Sequence, residues 1–246
     1  MFDFSEKTAV ITGAASGIGR ATAEYFLNCG ANVVLADLDQ EGSRKAAREC
    51  DPSGVRTLCV CYDAGSSASA AAVVEAAVAR FGGIDQLATC AGIYQQSFVP
   101  DMTDEDWRRT QSVNLDGVFY ITRAAGRVMR DGGAIATVAS IAAHVGGTGG
   151  HAHYGASKGG VLAYTRGLAK DLAPRIRANS VSPGLIETPM TTGLIERSGE
   201  DIRRQILVGR YGRPSEIASV IAFLCSDAAS FVNGEVIIAS GGAYIG

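Results

Sequence analysis

The sequence predicts an α/β fold in which one doubly wound parallel sheet carries helices on both faces. Short apolar runs rich in β-branched residues alternate along the whole chain with helical segments of roughly 10–15 residues. A glycine-rich turn follows the first apolar run, and no linker, low-complexity stretch or internal repeat interrupts the alternation. Strands that alternate with helices pair in parallel, and the helices cover both faces of the sheet. We therefore expect a single domain over residues 1–246.

The apolar periodicity and the turn residues place the individual elements. Strands are predicted at 8–11, 33–37, 55–61, 84–89, 134–139, 176–182 and 235–239. Helices are predicted at 21–29, 40–50, 66–81, 161–172 and 214–225. A longer helical region covers 104–130 and can break near Asp116, and the segment 190–207 is expected to be flexible.

A glycine-rich turn between the first strand and the first helix is typical of a dinucleotide site. Its glycines, Gly13, Gly17 and Gly19, allow backbone N–H groups to approach a pyrophosphate at the helix N-terminus. Ser16 and Ile18 belong to the same turn, and an acidic residue ends the second predicted strand. The turn alone would be weak support, but the strand, turn, helix and strand together predict a dinucleotide site.

Asp37, at the end of the second strand, indicates which dinucleotide is preferred. A carboxylate there can accept hydrogen bonds from both ribose hydroxyls of the adenosine half, and it would repel a 2′-phosphate. Ser16 and Leu38, its neighbours in the motif, offer no basic partner for such a phosphate. We therefore predict NAD(H) rather than NADP(H). The alternative is that Asp37 only caps the next helix, although Asp39 is an equally good N-cap candidate.

Several predicted strands end in polar or glycine positions. Ligands of open parallel sheets bind beyond the carboxyl ends of the strands. We therefore expect these strand ends to converge on one site. They are Asp37, Asp63, Cys90, Ala91, Gly92, Ser140, Pro183 and Gly184.

Tyr154 and Lys158 lie four residues apart at the head of a predicted helix, and this spacing places them on one helix face. The pKa of an unperturbed tyrosine is near 10, and a nearby positive charge lowers that pKa by favouring the phenolate. Such a pair can take a proton from an alcohol or return one to a developing alkoxide. On its own the pattern is more often a helical surface pair, and it is the rest of the chain that favours a catalytic interpretation.

The motifs together resemble the short-chain dehydrogenase/reductase family. They are the glycine turn, Asn114, Ser140 with Tyr154 and Lys158, and the Pro-Gly pair at 183–184 followed by Thr188. They occur in the order found in that family and span nearly the whole chain. The resemblance implies a Rossmann fold and reversible hydride transfer between NAD(H) and a secondary alcohol or its ketone. It also implies association into homodimers or homotetramers through the 104–130 and 154–172 helices.

The resemblance further implies a role for each motif residue. Tyr154 would be the acid/base, and Lys158 would bind the nicotinamide ribose and lower the Tyr154 pKa. Ser140 would orient the substrate oxygen, and Asn114 would hold a water that links Lys158 to solvent. The implied cofactor contacts are Asp63 and Ala64 at the adenine, Cys90, Ala91, Gly92, Pro183 and Gly184 along the groove, and Ile186 and Thr188 at the carboxamide.

Three positions depart from the family pattern. Thr89 and Cys90 replace the usual Asn-Asn pair before Ala91, and neither side chain can fully replace an asparagine. The interval from Ser140 to Tyr154 is fourteen residues, one longer than is typical of the family. Ser240 stands where an aspartate is common. These departures concern the substrate and some backbone contacts rather than the acid/base group.

The sequence leaves the substrate open. The pocket is expected to draw on the loops 141–153 and 94–98 and on the segment 190–207. Polar candidates in these loops favour a polyol, a sugar or a hydroxy acid, although they are equally consistent with solvated loop residues. They are His144, His151, Tyr94, Gln95 and Gln96.

Two alternatives remain beside the polyol hypothesis. A 3-oxoacyl-[acyl-carrier-protein] reductase would need a basic docking patch, which the arginines of the 104–130 region can supply. Such reductases commonly use NADPH, and Asp37 argues against that cofactor. A catalytically idle dinucleotide-binding regulatory protein is the other alternative, since fold does not determine function, but the intact set of Asn114, Ser140, Tyr154 and Lys158 argues against it. The arginines are Arg108, Arg109, Arg123, Arg127 and Arg130.

Composition excludes several other classes of protein. The formal net charge of −3 and the absence of a basic run argue against nucleic acid as a partner. The N-terminus lacks signal-peptide character and no apolar run is long enough to span a membrane, so a cytoplasmic location is expected. The six cysteines lack Cys-x-x-Cys pairs and are expected to be reduced core thiols. The three histidines lack partners with metal-ligand spacing, so no metal site is predicted.

Overall fold

Seven strands form the central sheet of the computed structural model, which describes residues 2–246 apart from the side chain of Ser198. Every strand pair is parallel, and the order is third, second, first, fourth, fifth, sixth, seventh. The order reverses between the first and fourth strands, which is the switch point where doubly wound sheets bind ligands. The predicted parallel sheet is confirmed. The strands are β1 Thr8–Thr12, β2 Asn32–Asp37, β3 Thr57–Cys61, β4 Ile84–Thr89, β5 Met129–Val138, β6 Ile176–Pro183 and β7 Val236–Ala239.

The helices follow the strands in alternation and cover both faces of the sheet, as predicted. Among the described residues, every helix is too short or too polar to span a bilayer. The helices are α1 Gly17–Asn28, α2 Gln40–Cys50, α3 Ser67–Phe81, α4 Asp104–Gln111, α5 Gly117–Gly126, α6 Ala142–Val145, α7 Ala152–Leu172, α8 Thr192–Gln205 and α9 Pro214–Cys225. A π-helical turn, Ser112–Asp116, joins α4 to α5, and a short 3-10 helix, Asp227–Ala229, follows α9.

Alternate residues of β1 enter two different cores because successive side chains of a strand point to opposite faces. Ile11 packs in the core that contains Phe26 of α1 and Ile221 of α9. Val10 packs in the core that contains Ile121 of α5 and that α3 and α7 also enter. All five of these side chains are fully buried. The two cores hold the sheet rigid between its helix layers, so the carboxyl ends of the strands form a fixed edge.

The boundary between α5 and β5 differs from the prediction. The predicted helix extended to residue 130, but α5 ends at Gly126 and β5 begins at Met129. Arg130 forms an ion pair with Asp85, which is buried, and the N–H of Gly132 donates to the carbonyl of Arg175 at 2.8 Å. These long-range contacts hold residues 129–133 in the sheet although their local sequence is typical of a turn.

Three further segments differ from the prediction. The helix predicted at 161–172 begins nine residues earlier and forms α7, Ala152–Leu172. The helix after the glycine turn begins at Gly17, four residues earlier than predicted, because the last glycines of the turn form its first helical turn. Residues 192–205, expected to be flexible, form α8. The break expected near Asp116 is confirmed, and it takes the form of the π-helical turn.

Candidate active site

The glycine turn brings the N-terminus of α1 to the carboxyl edge of the sheet. Gly13 and Gly17 have positive φ values of 67° and 53°. A Cβ on Gly13 would lie 2.8 Å from the backbone nitrogen of Ala91, and a Cβ on Gly19 would overlap the carbonyl of Gly13. The N-cap residue Ser16 makes no side-chain cap. The first N–H groups of α1 are therefore left for another acceptor, which suits a pyrophosphate.

The carboxylate of Asp37 is fixed at the end of β2. One oxygen accepts the backbone N–H of Ala15 in the glycine turn, and the other accepts that of Asp39, each at 2.9 Å. The N-cap of α2 is Asp39, which accepts the N–H of Gly42 at 2.9 Å. The alternative in which Asp37 caps this helix is therefore wrong. A carboxylate oxygen accepts more than one hydrogen bond, so Asp37 can still accept from a ribose hydroxyl.

A groove of about 490 Å³ runs along the carboxyl edge of the sheet. It is lined by every residue that the sequence assigned to the cofactor, and by Ser140 as well. Those residues are Gly13, Ser16, Gly17, Ile18, Gly19, Asp37, Asp63, Ala64, Cys90, Ala91, Gly92, Tyr154, Lys158, Pro183, Gly184, Ile186 and Thr188. Sequence reasoning missed lining residues such as Tyr62, Ile93 and Val113, which no motif marks. Met190, at the start of the segment expected to contribute to the pocket, does line the groove.

Lys158 is buried beneath the groove. Its ammonium donates to the carbonyl of Val138, at the end of β5, at 2.8 Å. Burial lowers the pKa of Lys158 to about 8. A Cβ on Gly92 would lie 3.7 Å from the Lys158 nitrogen and 3.2 Å from Oδ1 of Asn114. Glycine at position 92 therefore leaves room for both side chains.

Tyr154 lies one helical turn before Lys158, and the lysine nitrogen is 5.9 Å from the centroid of the Tyr154 ring. Burial raises the pKa of Tyr154 to about 12, and the Ser140 side chain offsets part of this rise. The sequence predicted that Lys158 lowers the Tyr154 pKa. Among the protein's own groups desolvation is the larger effect, because the surrounding protein reduces the contact of the phenol with water.

Asn114 is fully buried and lies on the π-helical turn between α4 and α5. Its Oδ1 accepts the N–H of Ile93 at 2.8 Å, and its Nδ2 donates to the carbonyl of Ile93 at 3.0 Å. Nδ2 also lies 3.2 Å from Oγ of Ser157. Asn114 thus ties the loop after β4 to α7, and it supports the groove without lining it.

The three histidines occupy different surroundings. Nε2 of His144 lies 3.1 Å from Oγ of Ser182, and the His144 ring stacks on the Tyr244 ring with the centroids 4.9 Å apart. His151 is buried and stacks on Tyr94 at 4.0 Å. His153 is fully buried, and neither of its ring nitrogens has a hydrogen-bond partner in the described part of the chain. The buried positions of His151 and His153 weaken the prediction that a polar histidine loop binds a hydroxylated substrate.

The positions that depart from the family pattern have structural surroundings of their own. The Thr89 hydroxyl is buried and finds no partner among the described residues. The thiol of Cys90 lies at the groove, and burial raises its pKa to about 12, so it stays protonated. Ser240 bonds through its hydroxyl to the backbone N–H and carbonyl of Tyr244 at 3.2 and 3.1 Å. Ser240 therefore stabilises the turn near the C-terminus.

The cysteines are all free, but they are not all in the core. Cys29 and Cys225 are buried, and Cys61 at the end of β3 is exposed. The described residues contain no group of three or more His, Cys, Asp or Glu side chains placed to hold a metal ion.

The arginines of the 104–130 region do not form one uniform patch. Arg130 is held by the buried Asp85 at 2.6 Å, and Arg108 pairs with Asp104 at 2.9 Å. Arg123 donates to Ser67 and lies over the ring of Phe119 at 4.6 Å. Arg109 lines the groove, and Arg127 makes no ion pair within the described residues. Of these five arginines, Arg109 and Arg127 are the ones with no hydrogen-bond or ion-pair partner among the described residues, so they are best placed to contact an acidic macromolecule.

Comparison with known proteins places the whole chain among oxidoreductases. A family model described as enoyl-(acyl carrier protein) reductase matches residues 13–244. A 3-oxoacyl-[acyl-carrier-protein] reductase of Thermotoga maritima is 40% identical over 242 residues, covering 97% of this chain and 98% of the relative. The Escherichia coli protein of the same name is 36% identical over 246 residues, covering 99% of each chain.

A solved structure gives a complementary match. The Brucella melitensis protein described as short-chain dehydrogenase/reductase SDR:Glucose/ribitol dehydrogenase superposes with a TM-score of 0.97 and is 49% identical. The alignment covers 100% of this chain and 99% of that one. A dehydrogenase/reductase from Sinorhizobium meliloti superposes with a TM-score of 0.94 at 32% identity, covering 99% of this chain and 97% of that chain.

Proposed function

Since the chain belongs to the short-chain dehydrogenase/reductase family, whose members act on CH–OH and keto groups with a nicotinamide cofactor, we propose that it interconverts a ketone and a secondary alcohol by hydride transfer. The observation that carries this proposal is the convergence of Ser140, Tyr154 and Lys158 on the groove that also contains the glycine turn and Asp37. Family membership and this shared groove argue against the alternative of a catalytically idle protein.

The residues present fit a nicotinamide dinucleotide. The uncapped N-terminus of α1 suits its pyrophosphate, and Lys158 suits its ribose hydroxyls. When bound, the nicotinamide supplies or accepts the hydride. In ketone reduction, Tyr154 gives its phenolic proton to the oxygen that becomes the alcohol, and Ser140 donates a hydrogen bond to that oxygen as negative charge develops. Lys158 stabilises the phenolate left on Tyr154, because opposite charges favour each other's charged forms.

NAD(H) is the proposed form of the cofactor. Asp37 is anchored by two backbone N–H groups at the end of β2, so its carboxylate cannot swing away from a 2′-phosphate without losing both hydrogen bonds. Neither Ser16 nor Leu38 supplies a positive charge at this end of the groove. A phosphorylated ribose would therefore meet uncompensated negative charge.

The substrate class that the relatives support best is a 3-oxoacyl thioester. The Thermotoga maritima and Escherichia coli relatives that bear this activity in their names align over nearly the full length of the chain. Apolar lining residues such as Ile93 and Met190 are compatible with an acyl chain. This ranking reverses the order in which the sequence placed the polyol and the 3-oxoacyl hypotheses.

Oxidation of a polyol or sugar is the second candidate. The Brucella melitensis structure at 49% identity carries glucose/ribitol dehydrogenase in its description, and its identity to this chain exceeds that of the 3-oxoacyl reductases named above. The preference for NAD(H) proposed from Asp37 is also better suited to oxidation than to biosynthetic reduction.

The acid/base role is tested by Tyr154→Phe, with Tyr164→Phe as the matched control on the same helix. The Tyr164 hydroxyl bonds to Thr122 at 2.8 Å, and Tyr164 does not line the groove. We expect Tyr154→Phe to lower turnover by roughly 10²–10⁴-fold and to leave NADH binding, followed by fluorescence, unchanged. Tyr164→Phe should keep nearly the turnover of the unmodified protein. Near-full turnover in Tyr154→Phe would contradict the mechanism.

The substrate is tested by following absorbance at 340 nm in two reactions. One reaction offers NADH or NADPH with an acetoacetyl thioester, and the other offers NAD⁺ with a panel of polyols, sugars and hydroxy acids. Faster thioester reduction supports the first candidate, and faster NAD⁺ reduction supports the second. NADPH as the better donor would contradict the role given to Asp37.

A further inference from the structure

Tyr94 lies between the buried His151 and the proposed acid/base Tyr154. Its ring stacks on the His151 ring with the centroids 4.0 Å apart and the planes 4° from parallel. The same ring meets Tyr154 at 4.8 Å and 86°, which is an edge-to-face contact. Both arrangements are favourable geometries for aromatic pairs. Tyr94 is therefore in direct contact with the side chain whose position decides proton transfer.

Hydrogen bonds hold Tyr94 in this place. Its hydroxyl lies 3.0 Å from Oγ1 of Thr148, and the same Oγ1 lies 3.0 Å from Nδ1 of His151. Nδ1 of His151 also lies 3.0 Å from the carbonyl of Gly149. Because a carbonyl oxygen only accepts, the Gly149 contact favours the His151 tautomer that carries its proton on Nδ1. The two contacts of Nδ1 fix the orientation of the ring.

Hydrogen bonds to backbone carbonyls join the two loops on which these side chains lie. The N–H of Ser97 donates to the carbonyl of Gly150 at 2.8 Å, and Nε2 of Gln96 lies 3.3 Å from the carbonyl of Gly149. Gly150 has a φ of 80°, a conformation that favours glycine. The segments 94–97 and 148–151 thus form one braced wall beside Tyr154.

We propose that Tyr94 is a positioning residue for Tyr154, holding the phenol in place and keeping water from it through the edge-to-face contact. This inference rests on the acid/base role proposed above for Tyr154. The braced wall makes the contact rigid, and errors of about 1 Å in the position of a reacting group can cost about 10²-fold in rate. Tyr94 does not line the cofactor groove, so its effect is separate from cofactor binding.

The protonation of Tyr154 should report this contact. Burial is the main cause of the raised Tyr154 pKa, and charge repulsion from the ionisable Tyr94 hydroxyl is a smaller effect in the same direction. The other groups that face Tyr154 are Ser140, which lowers its pKa, and the Lys158 ammonium, 5.9 Å from its ring. Removal of the Tyr94 ring admits water, which favours the phenolate and lowers the Tyr154 pKa.

The test compares Tyr94→Ala, which removes the ring, with Tyr94→Phe, which keeps the ring and removes only its hydroxyl. The kcat/KM for ketone reduction is measured against pH at saturating NADH, with the best substrate of the panel described above. Reduction needs the phenol, so activity falls as pH rises through the Tyr154 pKa. In Tyr94→Ala we expect this fall to move down by about 0.5–1 pH unit and kcat to drop by roughly 10–100-fold. The Kd for NADH should be unchanged.

Tyr94→Phe should move the pH profile less than Tyr94→Ala does, because the ring contact with Tyr154 remains and only the small effect of the Tyr94 hydroxyl is lost. A second variant, Thr148→Val, keeps nearly the same side-chain volume and removes the hydroxyl that bridges Tyr94 and His151. It should lower kcat by about 3–10-fold, because Tyr94 is held less rigidly beside Tyr154 without this hydroxyl. NADH binding should again be unchanged. This variant keeps the inference testable if Tyr94→Ala does not fold.

Three results would overturn the inference. They are an unmoved pH profile and unchanged kcat in Tyr94→Ala, an equal displacement of the profile in Tyr94→Phe and Tyr94→Ala, and an unchanged kcat in Thr148→Val. Tyr154→Phe, measured alongside, separates this inference from the proposed function. If Tyr154→Phe is active, the acid/base role itself is wrong. If it is inactive while Tyr94→Ala behaves as the unmodified protein, only the role of Tyr94 is wrong.

Discussion

At the scale of single residues, Asp37 and Asp39 show how two neighbouring carboxylates take different roles. Asp39 accepts the N–H of Gly42 and begins α2, so it stabilises a helix. Asp37 accepts the N–H of Ala15 and thereby connects β2 to the glycine turn. Only Asp37 lines the groove, and its free lone pairs are available to a ligand. The same pair therefore offers a variant for cofactor preference and a control for stability.

We predict that Asp37→Ala narrows the preference for NADH over NADPH by tenfold or more. The variant removes hydrogen bonds from a charged acceptor to the ribose, each worth about 1.5–3 kcal/mol, and it removes the repulsion of a 2′-phosphate. The measurement is the ratio of kcat/KM for the two cofactors. Asp39→Ala should keep that ratio while lowering the free energy of unfolding by about 1 kcal/mol through loss of the cap. An unchanged ratio in Asp37→Ala would contradict the proposed preference.

Lys158 gives a prediction on stability against pH. Its pKa is lowered from 10.5 to about 8 by burial, so the folded protein binds fewer protons than the unfolded chain between these values. The charged form is therefore disfavoured in the folded state below pH 8, and this cost decreases as pH rises from about 8 to 10.5.

Lys158→Met removes this pH-dependent cost. Urea unfolding should show the variant to be more stable than the unmodified protein at neutral pH, by up to about 3 kcal/mol. This difference should narrow by about 2 kcal/mol between pH 7 and pH 9.5. Because all other titrating groups are shared, they cancel in the difference. A difference that does not change with pH would show that the lysine is not desolvated in the folded protein.

At the scale of elements, the packing of α1 on the glycine turn decides whether the groove exists. Gly19 lies so close to the carbonyl of Gly13 that a Cβ there would overlap it. The helix can approach β1 only because position 19 has no side chain. This close approach places the N–H groups of the first helical turn at the switch point of the sheet.

Gly19→Ala should therefore abolish NADH binding and lower the free energy of unfolding by several kcal/mol, because backbone atoms must move to admit the methyl group. Gly167→Ala is the matched control. Gly167 lies within α7, and a Cβ there would meet nothing within 4 Å. The control should bind NADH as the unmodified protein does. Unchanged NADH binding in Gly19→Ala, measured by fluorescence titration, would show that the turn does not form the site.

At the scale of the whole molecule, α4 and α5 leave aromatic side chains exposed. Phe119 of α5 and Trp107 of α4 are both exposed, and Phe119 meets Tyr164 of α7 edge to face at 6.2 Å. Large exposed aromatic side chains on neighbouring helices are typical of an interface between protein chains. This observation supports the proposed association of two or more copies through these helices. The single-domain organisation stays a prediction at this scale.

Phe119→Glu should dissociate an oligomer into species of lower mass, because a carboxylate in an apolar interface between subunits would have to be desolvated. Arg123 lies over the Phe119 ring and can pair with the new carboxylate, so the monomer should still fold. Val55→Glu, at an exposed apolar position before β3, serves as the control. Light scattering after size-exclusion chromatography gives the masses. Equal masses for both variants and the unmodified protein would contradict an interface at Phe119.

The features that the sequence determined by itself are local ones. The Tyr154–Lys158 spacing, the glycine turn and the acidic end of β2 each depend on residues within one helix or one βαβ unit, so their relative positions follow from helix and strand geometry. The strands and helices are largely predictable for the same reason, since apolar periodicity is a local signal. The convergence of Ser140 and Pro183 on the groove follows from the rule that parallel strands share one carboxyl edge.

The tertiary structure alone decided the features that depend on long-range contacts. The start of β5 depends on Asp85 and Arg175, which lie far away in the sequence. Asn114 bonds to Ile93 from a π-helical turn, and the sequence indicated a break near Asp116 but neither its π-helical form nor this partner. The stacking of His151 on Tyr94 joins two loops more than fifty residues apart. The raised pKa of Tyr154 is also a tertiary effect. Its main cause is desolvation, which depends on which side chains surround the phenol in space.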